Sequence, residues 1–218
     1  MKKSFVLSIL VLFTCVLFSQ EVKIDLDKIK KIAKSESYQQ LMNRYQENDT
    51  TLNLEDYTNL YYGQAFQDSY NGYSSHDSLS ILKKLLHVHK DSLDISRATA
   101  CITKILFESP FEIQLMLTAA YLADKTNQPD LAKKWVYKYN MLINTLFNSG
   151  LGKSHETAVM VIKVPDEYAF VHAIGLQVES QALVNKDGKA YDLLKLVKNN
   201  LGIEELYFDI SLFFGKLF

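Results

Sequence analysis

Apolar residues between Leu79 and Tyr139 recur every three or four positions, the spacing that lines one face of a helix. Leu82, Leu85 and Leu86 form one such face and Ile102, Ile105 and Leu106 a second. Met116, Ala119, Ala120 and Ala123 form a third, and Val136 and Tyr139 belong to a fourth. Pro110 stops the second helix, since its ring cannot sit inside a helical ladder. Ala98, Ala120 and Ala132 fall where two helix axes, approaching to roughly 8–10 Å, need short side chains. The phase repeats at about 34 residues, the period of a tetratricopeptide repeat. Two helical hairpins in that register are the expected scaffold, with Ala98 and Ala132 at the crossing positions. Asn144 stands where a second closing proline would be, so the last helix is expected to run on through Leu142, Ile143, Leu146 and Phe147 to Gly150. About three repeats are needed for a stable stack, so other elements must cover its ends.

Ahead of the hairpins the same periodicity predicts three more helices. Leu26, Ile29, Ile32 and Ala33 share a face behind Asp25 and Asp27, acids that suit the positive end of a helix. Tyr38, Leu41, Met42 and Tyr45 mark a second, ending at Glu47-Asn48-Asp49-Thr50. Leu54, Tyr57, Leu60 and Tyr61 mark a third, entered through Asn53 and stopped by Gly63. A run dense in tyrosine and glutamine then extends to Tyr73, with Asn71-Gly72 as a turn. So many rings must pack on something, and the expectation is that the segment folds back over the open end of the helices. As an aromatic cleft, it offers Tyr61, Tyr62, Gln64, Gln67, Tyr70 and Tyr73 as candidates for holding a glycan, peptide or small molecule.

After Gly150-Leu151-Gly152 the period changes. Ala158–Val164 is apolar and rich in β-branched residues, which reads as a central strand ended by Pro165. Asp166–Ile174 reads as a short helix closed by Gly175. Gln177–Val184 and Tyr191–Val197 read as strands joined by a turn at Asn185-Lys186-Asp187-Gly188-Lys189. In the last strand Leu206, Phe208 and Ile210 point one way and Glu205, Tyr207 and Asp209 the other. Ser211 would cap a closing helix containing Leu212, Phe213 and Leu217. The expected class is therefore α+β: tetratricopeptide-like hairpins followed by a small antiparallel sheet of about four strands. Residues 21–150 would form the helical region and 151–218 the sheet, packed together as one unit, since no Pro/Gly/Ser-rich linker divides them.

The first residues add a destination. Lys2 and Lys3 precede an apolar run, Phe5–Phe18, too short to cross a bilayer comfortably, so residues 1–20 read as a secretory signal. Cys15 is a poor lipid-anchor site because Thr14 precedes it and Val16-Leu17-Phe18 continues the apolar core. Loss of Lys2 and Lys3 leaves 22 basic residues against 25 acidic ones, a net charge of −3. That balance argues against nucleic acid or an anionic membrane surface as partner, and no later segment is apolar enough to span a membrane. Cys101 is then the one cysteine remaining, which excludes an internal disulfide and reads as a buried, inert thiol.

Familiar chemistries fail on spacing or context. Gly152-Lys153-Ser154 resembles the end of a phosphate loop, but Phe147 occupies the first glycine position and the order of elements is reversed. His87 and His89 lie two apart and cannot share a metal from one helix face. Asp166-Glu167 would be an acid–base pair in an active site, but reads as a pair of first-turn acids favoured by the helix dipole. Ser154 and His155 lack a Gly-x-Ser-x-Gly elbow. No catalytic constellation, metal site or cofactor site is expected.

Asp25–Lys31, Asn48-Asp49-Thr50-Thr51, Tyr61-Tyr62-Gly63 with Phe66-Gln67, Asn71 and Tyr73, Gly152-Lys153-Ser154, Asp166-Glu167-Tyr168 and Gly202–Phe208 follow one another in an order that resembles a family of exported bacterial proteins, common in Bacteroidetes-type organisms and known as a domain of unknown function. The resemblance covers nearly all of the chain after residue 20 and implies an envelope location; it brings no activity, cofactor or catalytic residue. Members carry a Gly-Asp turn between repeat helices where this chain has Asn127-Gln128-Pro129-Asp130. The leading expectation is a non-catalytic interaction module binding another envelope protein, because stacked hairpins present a concave surface. A glycan or small-molecule binder using the Tyr61–Tyr73 segment is the alternative, and a hydrolase with a scattered site the third.

Overall fold

The computed structural model describes residues 24–87 and 94–214. The leader segment 1–20, His89 and Leu217 lie outside the described residues.

Local sequence sets the first three helices. α1 (Leu26–Ala33) begins where the Asp25 carboxylate accepts the Lys28 amide at 2.9 Å. α2 (Glu36–Gln46) follows after a single turn. Asn48, with φ 59, reverses the chain before α3 (Leu54–Gln64). There Asn53 accepts the Asp56 amide and the Asp56 carboxylate accepts the Asn53 amide, a reciprocal cap that satisfies two orphan donors. α3 continues through Gly63 to Gln64 instead of stopping at the glycine. The reason is packing: a Cβ on Gly63 would lie 2.6 Å from the Tyr38 ring, so the glycine lets α2 come close to α3.

α4 (Leu79–Leu86), α5 (Ile95–Glu108), α6 (Ile113–Lys125) and α7 (Pro129–Ser149) occupy the stretch read as hairpins. Each packs on the next in chain order, and α7 turns back to cover α3. Ala98 and Ala120 are buried at these contacts, while Ala132 is half-buried. Asn127 (φ 59) and Pro129, in the first turn of α7, make the connection from α6 to α7.

The C-terminal half corrects two expectations. The sheet is mixed, not wholly antiparallel: its order is β1 (Val159–Met160), β4 (Glu205–Asp209), β3 (Lys189–Leu196), β2 (Val178–Lys186), and β1 runs parallel to β4. The run Ala158–Val164 is not a central strand. Only Val159–Met160 (β1) pairs, at the sheet edge, and Val161 and Ile162 are buried as a connector. α8 (Val164–Ala173) then starts two residues before Asp166, with Pro165 in its first turn, where its missing N–H costs nothing. Because α8 carries the chain to the far edge of the sheet, β2 (Val178–Lys186), β3 (Lys189–Leu196) and β4 (Glu205–Asp209) return toward β1 in order. β4 thus arrives beside β1 running in the same direction. Asp187 (φ 51) and Gly188 (φ 77) form the two-residue turn whose twist suits a hairpin. Leu206 and Phe208 face the core, as their alternation implies. The closing helix is absent among the described residues: Ser211–Phe214 is a turn held by the Asp209 side chain and the Ile210 carbonyl. One apolar core runs from Ile29 in α1 to Phe213 beyond β4, and among the described residues no helix is long and apolar enough to cross a membrane.

Candidate functional site

The tyrosine-rich segment fastens the helices to the sheet. Tyr61 and Tyr62, adjacent on α3 with rings 4.9 Å apart, are fully buried and reach the end of β1 and the connector after it. The Tyr62 hydroxyl donates to the Met160 carbonyl at 3.0 Å. The Tyr61 hydroxyl accepts the Ile162 N–H at 3.2 Å and donates to Asp166 Oδ2 at 2.6 Å. Tyr70 donates to the Ile162 carbonyl. Three phenols thus hold a few residues of backbone that would otherwise bury unsatisfied groups.

The six sequence candidates therefore separate. Tyr61 and Tyr62 lie inside the seam. Gln67 donates to the Ala33 and Gly63 carbonyls at 2.8 and 3.3 Å, closing the turn after α3. Tyr73 is 47% exposed, edge-on to Phe213 at 5.5 Å. Gln64 and Tyr70 do come together, on the wall of a half-open cleft of about 220 Å³.

Three elements enclose that cleft. The end of α3 and the segment after it give Gln64, Ser69, Tyr70, Asn71 and Ser74; the end of α5 and the α5–α6 connection give Glu108–Glu112; the α8 approach gives Ile162 and Lys163. Its charged side chains already have partners. Lys163 Nζ lies 2.7 Å from Glu112 Oε1, with both side chains about seven-eighths buried, and His76 Nε2 lies 2.7 Å from Glu108. The Ser74 hydroxyl is committed to the Asn71 carbonyl, and His76 also accepts the Ser78 amide. Ser74 is thus not arranged with His76 as nucleophile and base. Amide and hydroxyl groups of the lining lie beside the half-buried Tyr70, while Phe111, 2% exposed, is packed against Tyr45 and Tyr61.

Beneath one wall lie the two acids read as a helix-start pair. They do occupy the first turn of α8, but both are buried, with separate partners. Burial pushes Asp166 up to about 7, against the pull of the Lys163 charge and the Tyr61 hydrogen bond, while Glu112 pushes it up further. Glu167 points the other way, toward β3. Burial first, then the Asp192 charge and hydrogen bond, push it to about 10. Gln181 of β2 bridges this pair, its amide 2.6 Å from Asp192 and 3.4 Å from Glu167, and accepts the Tyr168 hydroxyl at 2.8 Å. Glu167 is thus a neutral acid at physiological pH and a hydrogen-bonding tie between α8 and the sheet.

Lys138, which the sequence reading did not single out, is 3% exposed. Its ammonium sits 4.1 Å from the Tyr45 ring centroid and 4.6 Å from that of Trp135. The signal was present: Lys138 falls in the stripe Trp135, Leu142, Thr145, Leu146 at helical spacing. Cys101 is free and half-buried, its Sγ 3.6 Å from the Ser78 carbonyl. No group of three or more His, Cys, Asp or Glu residues is placed to hold a metal ion among the described residues.

The fold and this cleft define an α+β protein whose helical half is buttoned by tyrosines to a mixed four-stranded sheet, with a small polar cleft at the seam. The chain belongs to the family described as a domain of unknown function, DUF4919, whose family model matches residues 23–216. No curated protein and no solved structure matches it. The Tyr61-Tyr62-Gly63 and Asp166-Glu167-Tyr168 motifs, far apart in sequence, meet through the Tyr61–Asp166 hydrogen bond.

Proposed function

We propose that this chain is a non-catalytic binding module of the cell envelope, and that the seam cleft holds a small, uncharged, hydroxyl-rich group such as one sugar unit. The observation that carries this reading is the lining: amides and hydroxyls lie beside the Tyr70 ring, and the one cation of the lining, Lys163, is paired with Glu112 at 2.7 Å. An anionic ligand would have to break that pair to reach the cation, whereas a neutral polyol exchanges its water hydrogen bonds for the Gln64 and Asn71 amides and rests its C–H face on the Tyr70 ring. At about 220 Å³ the cleft is smaller than the ~300–1,000 Å³ of sites for drug-sized ligands and suits a single ring. Export is supported by Lys2, Lys3 and the apolar run Phe5–Phe18.

Calorimetric titration with neutral, amino and acidic monosaccharides tests it. Saturable binding of a neutral sugar, weakened at least ~10-fold (about 1.4 kcal/mol) by Gln64→Ala or Asn71→Ala, is expected. Absence of binding up to ~10 mM, or binding indifferent to both substitutions, refutes it.

A second reading, docking of another envelope protein on the helices, draws on Leu117 and Tyr121. They lie four apart on α6 and are 38% and 43% exposed. Photo-crosslinkers at these positions should capture one partner from envelope fractions; crosslinking no greater than at a charged control position would refute it.

A further inference from the structure

The two edges of the sheet differ sharply. At one, β1 is two residues long, and the neighbouring Gly152 carbonyl takes the Tyr207 N–H. At the other, β2 is nine residues long and, among the described residues, pairs on one side only, with β3. Val178 and Val184 are half-buried and the other positions of β2 are exposed. An open edge presents a row of unmet N–H and C=O groups, and proteins guard such edges with proline, bulges or charges. β2 has no proline, its irregularity falls at one end between Val178 and Ser180, and Ser180–Asn185 is an uncharged run. Leu183, opposite Asp192 on the α8 side of the sheet, is 51% exposed because β2 projects beyond the helix layer.

We infer that β2 pairs antiparallel with β2 of a second copy, joining two four-stranded sheets into one across a two-fold axis. The charges select antiparallel pairing. Glu179 opens the strand, and its turn end is net basic, with Lys186 and Lys189 against Asp187. Antiparallel pairing sets each acidic end beside the other copy's basic end; parallel pairing would set like ends together. A two-fold axis normal to the sheet keeps each side chain on its own face, so overlap along the whole strand places Ala182 on the axis. Gln181 then faces Leu183, covering the exposed leucine on both sides of the axis, and Glu179 faces Asn185 next to Lys186. Contact along one strand pair is a small interface, so a dissociation constant in the ~µM range is expected.

Sedimentation equilibrium from ~1 to ~300 µM reads the assembly directly. The wild-type chain should approach twice its monomer mass. Ala182 is exposed, so Ala182→Lys and Ala182→Glu should each fold with unchanged circular dichroism. Each alone should remain monomeric, because like charges would meet on the axis, and an equimolar mixture should recover the dimer. A wild-type chain that stays monomeric throughout overturns the inference, as does a dimer indifferent to Ala182→Lys. A monomer whose β2 edge instead accepts an extended foreign peptide also overturns it, in favour of a different occupant. None of these outcomes depends on whether the cleft binds a sugar.

Discussion

Lys138 is the sharpest test of the packing. Its side chain lies between α7 and α2, 3% exposed, against two ring faces and not a carboxylate. Burial lowers the ammonium from 10.5 to about 7. A gap of roughly 3.5 units at 1.36 kcal/mol each is a desolvation cost of at most ~5 kcal/mol for the charged form. The two rings return ~0.5–2 kcal/mol apiece by attracting the cation, leaving a net cost of ~1–4 kcal/mol below pH 7. The unfolded chain binds the proton up to about pH 10.5 and the folded chain releases it earlier, at a pH that burial alone sets to about 7 and the rings draw back up, so stability rises with pH within that window. Below pH 7 both states are protonated and the full cost is carried; above pH 10.5 both are neutral and it is gone. Lys138→Met keeps a flexible chain of similar length without the charge. It should therefore be more stable than wild type by ~1–3 kcal/mol at pH 6, with the advantage shrinking toward zero near pH 10. Urea unfolding at pH 6, 7.5 and 9, followed by circular dichroism and by the single tryptophan, Trp135, measures this. Other groups that titrate in the same range, Glu167 among them, are common to both proteins and cancel in the difference. If the variant keeps the wild-type pH slope, or is less stable by more than ~1 kcal/mol at pH 6, the reasoning about the buried charge is wrong.

The seam offers three further tests. Tyr61→Phe deprives both the Asp166 carboxyl and the Ile162 N–H of their partner and should cost ~1–3 kcal/mol in urea unfolding, more than Tyr73→Phe at the surface. Asp166, raised from 3.8 to about 7, favours the folded state fully below pH 3.8 and loses that contribution as pH rises through 7. Asp166→Asn should therefore gain on wild type by ~2–4 kcal/mol between pH 4 and pH 8; parallel pH profiles would contradict the shift. At Gly72 an added Cβ would lie 2.4 Å from Phe213 Cβ and 2.9 Å from the Ile162 carbonyl oxygen, so Gly72→Ala should destabilise by ~1–3 kcal/mol in thermal unfolding.

What the sequence disclosed was what is decided locally. Asn53 and Asp56 cap α3 within four residues, Asp187-Gly188 turns a hairpin on its own backbone angles, and β4 alternates at a period of two. What it hid depends on partners far along the chain. An apolar run such as Ala158–Val164 reads the same whether it is a central strand or a connector sealed between layers; only the arrival of β4 decides how much of it pairs. Asp166 and Glu167 have the composition of exposed first-turn acids. Their burial follows from Tyr61, 105 residues away, and from Asp192 on a strand not yet formed at that point in the chain. The candidate site divides on the same principle. Gln64 and Tyr70 reach the cleft because the α5–α6 connection and Lys163 close it from the other side, while Tyr61 and Tyr62, equally aromatic in sequence, are consumed by the connector backbone.

That division explains why the segment is built from tyrosine and not phenylalanine. A connector between a two-residue edge strand and a helix cannot meet all its backbone groups within regular structure, and burying them unpaired would cost ~1–3 kcal/mol each. Phenylalanine would fill the same space and leave those groups unmet. Tyrosine fills it and carries a hydroxyl to the far side of the ring, so Tyr61, Tyr62 and Tyr70 each settle a backbone group on Met160 or Ile162 while contributing apolar area. Since Ile162 and Lys163 also form a wall of the cleft, the hydroxyls that secure the two halves also set the shape of the space between them. A change at the seam is therefore felt at the cleft even where it touches no ligand.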